Sequence, residues 1–283
     1  MERLEPGLMR MIAPNPGPMT ERGTNTYILG QGPFTVIDPG PDDDRHLEAI
    51  LSVGSISHIL VTHAHLDHSP LARRLGAATG APVLAFGDAR AGQSPVMQGL
   101  DDLGGGEGVD ASFAPDETLA DGEVLHTPAG PIRAIWTPGH FGNHLSFAWR
   151  DTIFSGDLVM GWASSLVSPP DGDLTAFMDS CRRVRAMGAR VLYPGHGGRI
   201  DDPAERTNWL ISHRESREAQ IIAALDAAPG TPQQLAKRVY DAIDPLLLPA
   251  ATRNVLAHLI DLTQRNFVCT EGELSRTSIF YRA

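Results

Sequence analysis

The stretch VTHAHLDHS, residues 61–69, places His63, His65, Asp67 and His68 within six positions. The chain has 11 histidines in 283 residues, so this crowding needs a chemical reason. Imidazole nitrogens and carboxylate oxygens are the donors that hold divalent ions. They converge where the backbone turns tightly. The apolar run HILVT (58–62) just before them reads as a strand buried on both faces and ending in such a turn. His63 and His65, two apart, point the same way if the strand extends that far. Asp67 and His68 then fall in the following loop and can face a second ion. Four candidate ligands in one segment exceed what a structural zinc site takes, and the cysteines such sites favour are missing.

Three further segments share this character. TPGH (137–140) delivers His140, FSGD (154–157) delivers Asp157 and YPGH (193–196) delivers His196. Each puts a donor side chain just past an apolar strand and behind a glycine. Alone, each histidine reads equally as a core residue; four strand ends in chain order read as a site. Two ions sharing a hydroxide would give a nucleophile at neutral pH and polarise the attacked carbonyl or phosphoryl oxygen. Asp67 could orient that hydroxide and accept a proton. The all-nitrogen and oxygen donor set suits Zn²⁺ and leaves Mn²⁺ and Fe open.

The elements that must position these residues alternate along the first two thirds of the chain. NTYIL (25–29), FTVID (34–38), APVLAF (81–86), the stretch at 131–137, HLSFAW (144–149), TIFSG (152–156) and RVLYP (190–194) read as strands. Residues 44–53 and 173–187 read as helices; the second carries Leu174, Phe177, Met178, Cys181 and Val184 on one side. GGGEG (104–108) neither follows a strand nor opens a helix, so it reads as a surface loop instead of a phosphate cradle. Near residue 201 the pattern changes. Asp202, Pro203 and Glu205 mark a helix start, with the helix running to about 227. Thr231 and Gln234 open a shorter helix to about 241. A third, 251–265, buries Val255, Leu256, Leu259, Ile260 and Leu262. FVCT and the C-terminal ELSRTSIFYRA suggest a hairpin. Helix, helix, helix and hairpin in residues 206–283 suggest a winged-helix-like unit after a larger unit, residues 1–205.

HAHLDH, TPGH, SGD and PGH, in that order, resemble the motifs of the metallo-β-lactamase superfamily over about residues 20–200. The resemblance implies a four-layer αβ/βα sandwich with a dinuclear metal site on one edge. Carried over by position, it implies that His63, His65 and His140 hold one ion. Asp67, His68 and His196 hold the other, and Asp157 bridges both. NPGPMTERGTNTYILG, DGDLTAFMDS and HRESREAQI, with the C-terminal unit, are similar to the lactamase-beta-like protein 2 branch. That branch includes a mitochondrial endoribonuclease and fungal thioesterases acting on carrier-tethered polyketides. Phe141 departs from the branch, which often has Thr there.

Secondary candidates surround this set. His144 could bind substrate or support a ligand. Asp38 could support a ligand or simply close a turn. Asn25, Thr26 and Tyr27 carry no chemical role that sequence reveals. His213, Arg214 and Arg217 could face the pocket mouth, but they read more simply as a solvated, ion-paired helix face. The expected activity is hydrolysis of a small ester or thioester through a metal-bound hydroxide. Cleavage of single-stranded RNA is the alternative, and a mononuclear iron oxygenase acting on persulfides is an alternative of another class. A true β-lactamase is disfavoured because such enzymes typically have Cys where this chain has Asp157. A bare binding module is disfavoured by the full ligand set.

Composition narrows the partners. Hydrophobic content of 42% and charged content of 20% are ordinary for a globular chain. Residues 1–205 hold 14 Arg and no Lys against 26 Asp and Glu, while residues 206–283 hold 9 basic and 8 acidic residues. No broad field attracts polyanions, which favours a small-molecule substrate, leaves RNA open and disfavours sequence-specific DNA binding. Cys181 and Cys269 form no motif and fit a reducing cytosol, hence a cytoplasmic location. Neither a secretory leader nor a membrane-length apolar run is read.

Overall fold

The computed structural model describes residues 1–100, 103, 105, 106, 108–240 and 244–283. One sheet contains β1 (Glu2–Glu5), β2 (Leu8–Ile12), β3 (Asn25–Leu29), β4 (Phe34–Ile37), β5 (Ile56–Leu60), β6 (Val83–Ala85) and β7 (Glu117–Thr118), in that order. Its first four strands are antiparallel; from β4 onward the pairs are parallel. The second sheet contains β8 (Val124–Thr127), β9 (Gly130–Trp136), β10 (Leu145–Trp149), β11 (Thr152–Gly156) and β12 (Val191–Pro194). These pair in sequence order, with only β11 and β12 parallel.

Side chains alternate across a strand, and the burial follows that period. Tyr27 and Leu29 of β3 face the core shared by both sheets, with Leu60, Phe147, Trp149, Phe154 and Tyr193. Ile28 points the other way, into a core closed by α1 (Asp44–Leu51) and α2 (Leu71–Thr79) through Ile50, Leu71 and Leu75. On the far side of the second sheet, Ile153 and Leu192 meet α4 (Leu174–Ala186) and α5 (Pro203–Ala227). The short α3 (Pro95–Gln98) buries Met97 against the C-terminal helices. The layers are therefore helix, sheet, sheet, helix, the four-layer sandwich expected.

Next to it, α5, α6 (Pro232–Val239), α7 (Leu248–Gln264) and the hairpin β13 (Val268–Thr270) with β14 (Phe280–Arg282) enclose a further core, which Met97 and Leu103 also enter. Ile221, Leu225, Leu235, Val255, Leu256, Leu259, Ile260 and Phe280 fill it. Asp202 caps α5 by accepting from the Glu205 amide at 2.8 Å. Thr231 and Gln234 cap α6 reciprocally. The expected division between 205 and 206 falls in the first turn of α5.

Two features differ from the sequence reading. The edge hairpin β1–β2 has no counterpart in it. The strand read at 58–62 runs from 56 to 60, because Thr62 leaves the ladder. Its amide donates to Asp38 Oδ1 at 2.7 Å and its carbonyl accepts from Leu145 in the other sheet. Gly104 and Glu107 of GGGEG, and residue 241 where α6 was expected to end, lie outside the described residues. Among the described residues no helix is long and apolar enough to cross a membrane.

Candidate metal centre

Four strand ends deliver the donor side chains to one edge of the sandwich. β5 leads to His63, His65, Asp67 and His68. β9 leads to His140, β11 to Asp157 and β12 to His196. Glycine makes the approach possible. A Cβ at Gly195 would collide with Asp157 Oδ1 and the His68 ring. One at Gly139, at φ +136°, would collide with the backbone of Phe177 on α4.

The donors form two adjoining groups. In the first, His63 Nε2 lies 2.8 Å and His140 Nε2 3.1 Å from His65 Nδ1. In the second, His196 Nε2 lies 3.2 Å from His68 Nε2 and 3.1 Å from Asp67 Oδ2. Asp157 touches both: Oδ2 is 3.7 Å from His140 and 3.4 Å from His196, and Oδ1 is 3.6 Å from His68. All seven candidates named from the sequence are thus brought together.

The outward ring nitrogens show whether this set fits a cation. His140 Nδ1 faces the Leu166 carbonyl at 2.8 Å, and His196 Nδ1 faces the Gly23 carbonyl at 3.3 Å. Carbonyls only accept, so both rings carry hydrogen on Nδ1 and turn Nε2 inward. His68 Nδ1 is held by Asp38 Oδ2 at 2.9 Å. Thr62 Oγ1 gives its hydrogen to the same Asp38 oxygen and so receives one from His63 Nδ1 at 2.9 Å. Four Nε2 atoms converge with the His65 nitrogen and two carboxylates, and Asp157 Oδ1 is buried without a hydrogen-bond partner. Such a donor set needs positive charge at its centre. The outward partners also match those that orient metal-ligating histidines.

The titration pattern agrees. Burial drives His65 down to about 3, drives His63 well below the usual imidazole range and lowers His140. Burial also opposes charge on His68 and His196. The carboxylates of Asp67 and Asp157 outweigh it, raising His68 to about 9 and His196 to about 11. Protons supply, in the second group, the positive charge that a divalent ion displaces on binding.

Asp38 supports both groups at once. It is buried and sits at φ +50°, a left-handed conformation that Asp tolerates better than most residues. His144 does not line the cavity beside the site. It is fully buried, bonds Thr137 Oγ1 at 2.9 Å and accepts from the Asp157 amide at 3.1 Å. Phe141 packs beneath His65, with ring centroids 4.8 Å apart. Sequence reasoning gave no role to several braces found here. Asn25 Nδ2 and Tyr27 Oη donate to the Pro194 carbonyl before His196. Asn143 Oδ1 accepts from the Ala64 amide between His63 and His65. The only sequence signal for Asn143 is its place between His140 and His144.

A cavity of about 570 Å³ opens onto His65, Asp67, His140 and Asp157. Met19, Pro41, Leu66, Met160, Leu166 and, from the first turn of α7, Ala250 form its apolar wall. No Lys or Arg lines it among the described residues.

Comparison with known proteins agrees with this geometry. The Metallo-beta-lactamase superfamily profile matches residues 19–196, and the Beta-lactamase associated winged helix domain profile matches residues 231–276. An atrochrysone carboxyl ACP thioesterase of Aspergillus fumigatus is 32% identical over 78% of this chain. The chain spans 66% of the length of the first fungal relatives it matches. A beta-lactamase-like protein 2 homolog of Drosophila melanogaster is 32% identical over 92% of this chain and 89% of its own length. The crystal structure of a metallo-beta-lactamase family protein from Thermus thermophilus superposes with a TM-score of 0.80. It is 26% identical and covers 99% of this chain and 100% of its own. The order of donor motifs, the four layers and the appended helical unit thus converge with these matches, and the chain belongs to the metallo-beta-lactamase superfamily.

Proposed function

We propose that this chain is a metal-dependent hydrolase of thioesters or small esters and carries two zinc ions. His63, His65 and His140 would hold one ion, Asp67, His68 and His196 the other, with Asp157 shared between them. When bound, the ions supply an acidified water and a Lewis acid for the carbonyl oxygen. The residues of the chain do the rest. Asp67, at the cavity surface and 28% exposed, orients the attacking water and takes its proton. Met19, Leu66, Met160 and Leu166 hold the acyl portion and keep bulk water away. His144 acts behind Asp157 through the main chain, as a positioning residue.

The observation that carries this reading is the largely apolar cavity wall on the donor cluster, whose charged members among the described residues are carboxylates, Asp171 besides Asp67 and Asp157, with no Lys or Arg. A polynucleotide needs cations along its path, whereas an acyl group needs apolar surface. The fungal thioesterase relative supports the same substrate class. Two further readings belong to this proposal. One is a working division into residues 1–205 and 206–283. The other is a cytoplasmic location, supported by the unpaired Cys181 and Cys269.

The test is a substrate panel of acyl thioesters, lactones, phosphodiesters and single-stranded RNA, run with metal analysis. Thioester or ester turnover that a chelator abolishes and zinc restores is the expected result. Cleavage of RNA alone would overturn the proposal. So would one iron per chain with oxygen-dependent turnover of persulfides.

A further inference from the structure

The segment from Met160 to Pro170 crosses the edge of the site without regular secondary structure. Ser165 and Val167 are fully buried within it. Buried carbonyls outside a ladder still need donors. Here three arginines from the C-terminal helices provide them. Arg206 of α5 donates to the Met160 and Ala163 carbonyls at 2.6 and 2.7 Å. Arg214, also on α5, donates to the Ser165 carbonyl and to Asn254 Oδ1 of α7, the latter at 3.0 Å. Arg253 of α7 donates to the Pro169 carbonyl at 3.1 Å. The same segment carries the Leu166 carbonyl that fixes the His140 ring, and Met160, Leu166 and Ser168 of the cavity wall.

Arg214 is the telling member. Only 3% exposed, it has no carboxylate within ion-pair distance among the described residues, and its Nε lacks a partner. The solvated, ion-paired face expected from the sequence is therefore wrong at this position. Burying an unpaired guanidinium is costly, and a plain packing contact would be met more cheaply by leucine or methionine. What the guanidinium adds is a planar fork that joins two elements at fixed geometry. It ties α7 to the residue next to His140's anchor.

We infer that Arg206, Arg214 and Arg253 are positioning residues through which the C-terminal unit sets the orientation of His140 and the shape of the cavity wall. Arg214 is the central one. The inference rests on the metal-binding part of the proposed function and not on the substrate.

The experiment titrates the metal-free full chain with zinc against a chromophoric chelator and records the visible spectrum of the cobalt(II) form. Arg214→Met keeps the apolar stem and removes the donors. It should weaken one of the two zinc equivalents about 10- to 100-fold, the range typical of partners that orient metal ligands, and change the cobalt spectrum. Arg217→Met is the control. Arg217 lies on the same helix but turns to Gln220, the Val239 carbonyl and the Tyr240 ring; its removal should lower thermal stability without altering either zinc equivalent. Should Arg214→Met not fold, Arg206→Met reports on the same segment from its other end. Loss of stability in the Arg214 or Arg206 variant with both zinc equivalents and the spectrum unchanged would reduce these arginines to structural filler. Failure to hydrolyse any ester would sink the proposed substrate class and leave this result standing.

Discussion

The two sides of the donor cluster are held by different means. His63 and His68 are braced by one carboxylate, Asp38, rooted at the end of β4 inside the sandwich. His140 is braced by a backbone carbonyl in a segment without regular structure, held by guanidinium groups of α5 and α7. A carboxylate acts on the electronics of its ring partner as well as its direction, and one residue can serve both groups. A neutral carbonyl acts on the ring's electronics more weakly than a carboxylate, and its position is as good as the segment that carries it. The first side should therefore respond to substitution mainly through metal affinity. The second should respond through cavity shape as well.

Asp157→Ala should have the largest effect. It removes the carboxylate that touches both groups and leaves His68 and His196 short of a compensating charge. Breaking such a buried charge arrangement costs about 3–5 kcal/mol, or roughly 10²- to 10⁴-fold in metal affinity. Elemental analysis after dialysis should find at least one equivalent lost, with turnover falling alongside. Retention of both equivalents would mean that Asp157 is not shared.

Asp38→Asn comes next and tests the carboxylate side directly. The amide cannot accept from both Thr62 and His68 at the position of Oδ2 while Oδ1 keeps the Thr62 amide. Metal affinity should fall about 10- to 100-fold, with KM for substrate nearly unchanged, since Asp38 is buried away from the cavity. A variant altered in KM alone would place Asp38 outside the metal-supporting role.

His144→Ala should be milder than Asp157→Ala. It removes an acceptor from the Asp157 amide and a partner of Thr137. One buried hydrogen bond left unmade costs about 1–3 kcal/mol. If this substitution damages turnover more than Asp157→Ala does, the roles are reversed.

Much of this arrangement was legible in the chain itself, because its signals are local. Helix starts are written in two or three residues, as at Asp202, Pro203 and Glu205. Strand ends followed by glycine and a donor residue recur along the chain, at His140, Asp157 and His196. What could not be read depends on distant partners. The hairpin β1–β2 is an edge whose first strand, ERLE, has no apolar alternation; it exists because β2 pairs with β3. The strand before His63 stops early because Asp38, 24 residues upstream, captures the Thr62 amide. Arg214 is an intermediate case. Thr207, Leu210, Ile211 and Arg214 follow the spacing of one buried helix face. The residue type pointed to solvent, and its position pointed inward.

The smallest effect expected is none at all, on duplex DNA. A winged-helix match invites the guess that a helix enters the major groove, where several cationic or amide side chains would meet bases and phosphates. The side chains of α7 are already committed. Val255, Leu256, Leu259, Ile260 and Leu262 fill the core, and His258 is buried. Arg253 is turned to the Leu103 and Pro169 carbonyls, and Arg265 pairs with Glu218 and Asp261. On α6, Arg238 donates to the Ala228 and Pro229 carbonyls. Arg253 and Arg238 thus hold this protein's own backbone and Arg265 its own carboxylates, and Ala250 of α7 walls the cavity. In a gel-shift assay at about 0.15 M salt, the full chain should leave duplex DNA unshifted with or without metal. A tight complex, lost when Arg253 or Arg265 is replaced by Met, would show that these side chains release their present partners for DNA.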